Sequence, residues 1–254
     1  MNGGLLMLAG HAIYQGGQWH GGRQHEDRLY EQHVRDAFRI LAEEDYQALV
    51  FSGGRSRPHL PPEIVNSEAE GMLEYAVGAG IARRDDTVLL EQYGRDSFEN
   101  LFFSMLCFHK RLREWPSRVG AVSWKFKALR FYLIACGLRL ADGRFRFYGS
   151  GDPSGQAAIE AFAAASTQYD AMIVRNGEIV DPLHRDQQWF AAKRLGRMPC
   201  AFRDNREYLK RVKEEYDNDG TVNRLIDQVE SIKPGPVWRD IVWPWNSQAE
   251  RGLP

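Results

Sequence analysis

The sequence predicts an α/β domain built on a doubly wound, mainly parallel sheet with helices on both faces, followed by a C-terminal helical extension. Five short apolar or β-prone runs occur between residues 5 and 148. Each gap between two runs holds a segment whose apolar residues recur at helical spacing. Right-handed crossovers lay a helix across each pair of parallel strands, so this alternation indicates a three-layer, Rossmann-like arrangement.

The predicted elements alternate along the first part of the chain. The strands cover Leu5 to Ala9, Ala48 to Phe51, Thr87 to Leu90, Val119 to Val122 and Phe145 to Tyr148. The helices cover Asp27 to Glu43, Ser67 to Gly80, Asp96 to Arg113 and Lys125 to Gly137. Ser67 with Glu70, and Asp96 with Glu99, have capping-box spacing, which supports two of the helix starts.

The pattern changes after about residue 155. A helical run over 156–165 precedes Ala171 to Val174, and the turn Asn176-Gly177 predicts either a hairpin with Ile179 and Val180 or a sixth strand. Charged helical segments follow at 186–195, 204–216 and 221–232. We therefore assign residues 1–169 to a core domain and residues 170–254 to an extension packed on it. Its tryptophans and prolines are expected to cover the core, or to form a homo-oligomer contact.

Composition limits the classes of partner. With 254 residues, 43% hydrophobic, the chain can bury a large core, and its formal charge of -1 provides no basic field for nucleic acid or an anionic membrane. Any anion site must be local. Cys107, Cys136 and Cys200 are far apart and form no C-x-x-C pair, which predicts core thiols in a reducing compartment. No apolar run has membrane-spanning length, so we expect a cytoplasmic protein.

Small and polar residues follow the predicted strands. Open α/β sheets bind ligands at the carboxyl ends of their strands, where the strand order reverses, so these residues are candidates for a ligand site. They are Gly10, His11, Ser52, Gly53, Gly54, Arg55, Glu91 and Ser123. The segment 52–54 either forms a nest of backbone N–H groups that binds an anion or is an ordinary turn. The histidines lack zinc-binding spacing, and no metal is predicted. The loop Gly16-Gly17 with Trp19 is expected to be a flap over the crevice or a flexible connection.

The turn before the third helix carries an unusual density of polar residues. Helix capping is one explanation for Asp96 and Glu99, and a ligand site is the other, but capping does not explain Glu91 or Asn100. The apolar spacing in this helix predicts one buried stripe, with Phe103 on another side. Both a ligand site and a simple helix start therefore remain open for this turn.

Six short motifs in this order resemble the YdcF/SanA-like family of α/β proteins, also catalogued as domain of unknown function 218. They are F-S-G-G (51–54), S-E-A-E (67–70), L-L-E (89–91), S-F-E-N (97–100), V-S-W-K-F-K-A-L-R-F (122–131) and G-S-G-D-P (149–153). The resemblance covers about residues 5–155. It implies that the pocket is lined by Ser52, Gly53, Gly54, Glu68, Glu91, Ser97, Glu99, Asn100 and Arg130. It also implies binding of S-adenosylmethionine or a similar nucleotide-like ligand.

The chain departs from the family pattern at three positions. Gly94 replaces a usual Ser, Asp96 replaces an Asn, and Lys127 replaces a His. Lys127 and Arg130 are three residues apart near a predicted helix N-terminus, where both favour an anion. The alternative is that both are solvated charges. In the same helix, Phe126, Leu129 and Leu133 are expected to form the buried face.

These residues lead to three functional hypotheses. The first is an enzyme of transferase or hydrolase type that binds a nucleotide-like or phosphorylated small molecule. In it Glu68, Glu91 and Glu99 are the acid/base candidates, and Lys127 and Arg130 hold the anion. The second is a non-catalytic ligand-binding or sensor protein. The third is a structural interaction module that uses the C-terminal helices.

Overall fold

The structure is a computed structural model that describes residues 3–23, 25–83, 88–140, 143–153, 174–175, 178–179, 196–217, 220–230 and 243–246. The strands are β1 (Gly4–Ala9), β2 (Ile13–Gln15), β3 (Gln18–His20), β4 (Ala48–Ser52), β5 (Val88–Glu91), β6 (Arg118–Ser123), β7 (Phe145–Gly149), β8 (Val174–Arg175) and β9 (Glu178–Ile179). The helices are α1 (Asp27–Glu43), α2 (Glu68–Gly78), α3 (Ser97–Leu112), α4 (Ala128–Gly137), α5 (Asn205–Tyr216) and α6 (Thr221–Glu230). One 3-10 turn, Lys125–Lys127, precedes α4.

The central sheet confirms the predicted fold class. Five parallel strands lie in the order β5-β4-β1-β6-β7. The chain runs outward from β1 through β4 to β5 and then crosses to β6 on the other side of β1. Leu8 is paired with both Phe51 and Val122, so the carboxyl ends of β1, β4 and β6 are adjacent. The strand order reverses between β1 and β6, which is where this kind of sheet binds ligands.

Both faces of the sheet are covered by helices. Leu6 and Leu8 of β1 point into one core with Val34 of α1 and Met72 of α2. Met7 points into the opposite core, which contains the apolar side chains of α3 and α4. The alternation of side chains along a strand produces these two cores from a continuous apolar run.

The C-terminal helices α5 and α6 pack on the outer side of α3. Tyr208 and Tyr216 of α5, with Trp243 and Trp245, belong to the same hydrophobic cluster as α3. As a result every residue from Ser97 to Phe108 is buried. The expectation of one buried stripe in α3 is therefore wrong, because α3 lies between the sheet and the extension.

Helix α4 also differs from the expected pattern. Leu133 is buried as predicted, but Leu129 is 56% exposed, and Phe131 and Ile134 point into the core instead. The helix proper begins at Ala128, after the 3-10 turn, and this changes the helical phase assumed from the sequence.

Two hairpins connect to this frame. β8 and β9 pair antiparallel, which agrees with the predicted hairpin, whereas the helices predicted at 156–165 and 186–195 lie outside the described residues. β2 and β3 form the glycine-rich hairpin, with positive φ at Gly16 and Gly17. The side chain of Gln15 accepts hydrogen bonds from the backbone N–H groups of Val65 and Asn66, at 2.8 and 3.0 Å. The hairpin is therefore tied to the segment before α2.

The three cysteines are free thiols, but only Cys107 is buried. Cys136 and Cys200 are exposed, so the prediction of core thiols is wrong for these two. Among the described residues, no helix has the length and apolar character needed to cross a membrane.

Candidate functional site

A polar cavity of about 490 Å³ opens at the carboxyl edge of the sheet, beside the point where the strand order reverses. It is lined by Gly10, His11, Gly21, Gly22, Arg23, Glu26, Tyr30, Ser56, Arg57, Pro58, His59, Glu68, Arg95, Asp96, Ser97, Asn100, Trp124, Phe126, Lys127, Arg130, Pro153, Gly196 and Arg197. Seven of the residues predicted for the site line this cavity: Gly10, His11, Glu68, Ser97, Asn100, Lys127 and Arg130. The other seven lie elsewhere.

His11 lies directly after β1, at the junction with β6. Its Nδ1 is 3.3 Å from Nζ of Lys127, and its Nε2 is 3.2 Å from Oγ of Ser123. The tautomer that accepts from Lys127 at Nδ1 carries its proton on Nε2 and donates it to Oγ of Ser123. Burial and the positive charge of Lys127 lower the pKa of His11 well below its ordinary value. The imidazole is therefore neutral at pH 7.

The ring of His11 is held between aromatic neighbours. Trp124 stacks on it with ring centroids 5.1 Å apart, and His33 meets it edge-on at 5.3 Å. Ser123 is fully buried beneath His11 and does not line the cavity. Its role is to orient the imidazole.

Lys127 and Arg130 face the cavity from the start of α4. The turn that carries them is fixed by Asp152, whose carboxylate accepts a hydrogen bond from the backbone N–H of Phe126 at 3.1 Å. Arg130 donates to the hydroxyl of Ser97 at 3.4 Å. Burial lowers the pKa of Lys127 well below its ordinary value, and the positive charge of Arg130 lowers it further. A bound anion would offset the repulsion between these two positive charges.

Glu68 is the first residue of α2 and reaches the cavity between two glycines. A Cβ on Gly10 would lie 2.6 Å from both Cβ and Oε2 of Glu68, and one on Gly53 would lie 2.7 Å from Oε2. The carboxylate makes an ion pair with Arg57 at 3.4 Å and accepts a hydrogen bond from Ser56 at 3.2 Å. Gly10 and Gly53 therefore serve to make room for this side chain.

The charges around the cavity are unequal. Three acidic side chains line it: Glu26, Glu68 and Asp96. Six basic side chains line it: Arg23, Arg57, Arg95, Lys127, Arg130 and Arg197. Glu68 pairs with Arg57, Asp96 accepts from the backbone N–H groups at the start of α3, and Glu26 accepts from Tyr30 Oη, so each of the three acids already has a partner. The local excess is positive although the whole chain is nearly neutral.

The segment Ser52-Gly53-Gly54 does not form the anion-binding nest that the sequence suggested. The N–H of Gly53 donates to the carbonyl of Glu91 at 3.0 Å, and the N–H of Gly54 donates to Gly94 at 2.8 Å. These hydrogen bonds join the turn after β4 to the turn after β5. Arg55, next in sequence, donates to the carbonyl of Pro62 and lies outside the cavity lining.

Glu91 is fully buried and does not line the cavity. Its carboxylate accepts hydrogen bonds from Ser52 Oγ at 2.5 Å, from the backbone N–H of Tyr93 at 2.6 Å, and from Tyr216 Oη at 3.1 Å. The N–H of Gly94 also donates to it, at 3.0 Å. Burial raises the pKa of Glu91 to about 7, although these hydrogen bonds oppose the shift. The structure thus places Glu91 in a closed polar cluster under α5.

Glu99 is also fully buried and outside the cavity lining. It forms a buried, bidentate ion pair with Arg95 and accepts from Tyr208 Oη at 3.4 Å. The Arg95 guanidinium also stacks on the Tyr208 ring, 3.9 Å from its centroid. Asp96 caps α3 as predicted, whereas Glu99 binds Arg95 rather than the backbone of Asp96.

Several cavity residues were not assigned to the site from the sequence. Arg57 follows a glycine turn, and Trp124 and Phe126 belong to the motif at 122–131 but were not assigned a role in the site. Arg197 lies in the extension, far along the chain from the strand ends. Folding brings them together, so no sequence spacing marks them. Among the described residues, no group of three or more His, Cys, Asp or Glu side chains could hold a metal ion.

Comparison with known protein families finds no family model that matches this chain, and comparisons with curated proteins and with solved structures find no match either.

Proposed function

We propose that this chain binds a phosphorylated, nucleotide-like small molecule in the cavity at the carboxyl edge of the sheet. The observation that supports this most is the placement of Lys127 and Arg130 beside neutral His11 at the point where the strand order reverses. Charge-assisted hydrogen bonds from lysine and arginine suit phosphate oxygens, and such cavities in α/β sheets take nucleotides. The positive excess suits phosphate better than the cationic sulfonium of S-adenosylmethionine.

We further propose that the protein is an enzyme of transferase or hydrolase type. Glu68 and His11 are our acid/base candidates among the cavity residues, and each contacts a cation of the cavity, Arg57 and Lys127 respectively. A neutral imidazole with its pKa well below the ordinary range acts as a hydrogen-bonding group or weak base at neutral pH. Cations on the phosphate would offset the charge that develops in phosphoryl transfer.

A non-catalytic binding or sensor protein is the second candidate. It is favoured by the burial of Glu91 and Glu99, two of the three carboxylates expected to act in catalysis. Both accept hydrogen bonds from the chain's own donors. A measured turnover would separate the two candidates.

The binding proposal is tested by thermal shift against inorganic pyrophosphate, a panel of nucleotides and S-adenosylmethionine. A ligand that binds the native state raises Tm by mass action. We expect pyrophosphate or a nucleotide to raise Tm of the wild type, and Lys127→Gln to remove most of that shift. Lys125→Gln is the matched control, because Lys125 lies in the same 3-10 turn but is exposed and outside the cavity lining.

Equal shifts in Lys127→Gln and in the control would refute the site. For any ligand that binds, release of phosphate or transfer of its group is then followed over time. Turnover that is lost in Glu68→Gln supports the enzyme, and binding without turnover supports the sensor.

A further inference from the structure

One cation in the cavity comes from the C-terminal extension. Gly196 and Arg197 line the cavity together with Lys127, although they lie about seventy residues further along the chain than Lys127. Arg197 is half-buried, and its Nη1 is 3.5 Å from the backbone carbonyl of Arg95, at the turn before α3. Its positive charge is one of those that lower the pKa of Lys127, and both side chains line the same cavity.

The segment after Arg197 is hydrogen-bonded to the turns beside the cavity. The N–H of Cys200 donates to the carbonyl of Arg55 at 3.3 Å. Arg95 donates to Asn205 Oδ1 at 3.0 Å, and Tyr208 Oη donates to the carbonyl of Tyr93 at 2.5 Å. The extension therefore contacts the turns after β4 and β5, which also form one side of the site.

We propose that Arg197 is a ligand-binding residue that the extension supplies to the anion cavity, so that ligand binding and docking of residues 196–216 stabilise each other. This inference rests on the proposed function, since it needs an anion in the cavity. An anion held by Lys127, Arg130 and Arg197 at once would join the core to the extension. A ligand that binds the docked state better must shift the chain toward that state.

The first test measures the affinity for inorganic pyrophosphate by calorimetry, using the full chain. Loss of one charge-assisted hydrogen bond weakens binding by roughly tenfold or more, so Arg197→Gln should weaken it by on the order of tenfold. Arg197→Lys should recover part of the loss because it keeps the charge. Arg206→Gln is the matched control, since Arg206 has the same charge in the same extension and its side chain is 94% exposed.

The second test measures amide hydrogen exchange over residues 196–216 with and without pyrophosphate. We expect slower exchange with pyrophosphate in the wild type and in Arg206→Gln, and no such slowing in Arg197→Gln. A residue that only holds the extension in place would change exchange equally in the presence and absence of pyrophosphate.

The outcomes separate this inference from the proposed function. If Lys127→Gln weakens binding but Arg197→Gln binds as tightly as wild type, the inference is overturned and the anion site stands. Unchanged exchange over 196–216 in pyrophosphate-saturated wild type would likewise overturn the coupling. If wild type does not bind pyrophosphate or any nucleotide, both proposals fall.

Discussion

The turns after β1 and β6 and the turn after β5 carry similar polar residues, but they differ in what those residues contact. After β1 and β6, His11 and Lys127 contact each other and line an open cavity. At the end of β5 and the start of α3, Glu91 and Glu99 are fully buried and are covered by tyrosines from α5. The extension covers Glu91 and Glu99, which therefore make structural contacts, whereas His11 and Lys127 remain accessible. We call the residues around Glu91 and Glu99 the closed region and those around His11 and Lys127 the open region.

The largest effect on the free energy of unfolding is expected from removing the Arg95–Glu99 ion pair of the closed region. Glu99→Ala leaves the fully buried guanidinium of Arg95 without its carboxylate, and breaking one partner of a buried pair costs about 3–5 kcal/mol. Denaturant unfolding monitored by circular dichroism measures this. Lys110 and Glu215 form an exposed pair that also joins α3 to α5, so Glu215→Ala should cost under about 1 kcal/mol. Equal losses in the two variants would contradict the distinction.

The next effect concerns the pH dependence of the closed region. The pKa of Glu91 rises from its ordinary value of 4.5 to about 7 on folding, so its protonated form is favoured in the native state. The free energy of unfolding should therefore fall as pH rises from about 4.5 to about 7, by on the order of 3 kcal/mol.

Glu91→Gln should remove that slope, because glutamine keeps the size of the side chain and stays neutral. Compared with wild type, the variant should gain stability between about pH 5 and about pH 8. Urea unfolding of both proteins at several pH values measures the difference. Parallel curves would show that folding does not raise the pKa of Glu91.

A smaller effect is expected at the boundary between the two regions. In Gly10→Ala the new methyl group would lie 2.6 Å from Glu68, so the side chain or the turn must shift. Overpacking of this kind costs about 1–3 kcal/mol. Gly17→Ala is a control for the loss of a glycine, because nothing lies within 4 Å of the added Cβ. Any loss of stability in this control comes from the positive φ of Gly17 and not from a clash. Because the clash involves Cβ as well as Oε2 of Glu68, Gly10→Ala should cost less stability in a Glu68→Gly background than in wild type, and an equal loss in both backgrounds would contradict this.

The smallest effect is expected in the open region. Burial, and after it the neighbouring cations, lower the pKa of Lys127, so its charged form is disfavoured by folding. Lys127→Gln should leave the ligand-free protein as stable as wild type or more stable by up to about 1 kcal/mol, while weakening anion binding. Thermal unfolding without ligand measures this. A clear loss of stability would mean that Lys127 supports the fold rather than a ligand.

Local sequence was sufficient for the main elements. The strands of the central sheet begin and end within one residue of the prediction, and α1 has the predicted bounds, because apolar runs and helical spacing are local properties. The roles of the strand-end residues were not predictable to the same degree. Glu68 and Glu91 are both acids near a strand end, yet one lines a cavity and the other accepts from Ser52 and Tyr216.

The sequence by itself determined the alternation of strands and helices, the parallel sheet and the edge where polar residues gather. The tertiary structure alone decided which of those residues remain accessible, because α5 and α6 cover α3. The extension also supplies Tyr208, Tyr216 and Arg197 from about seventy or more residues away along the chain. Burial and charge depend on contacts between distant segments, and the spacing of residues along the chain does not encode those contacts.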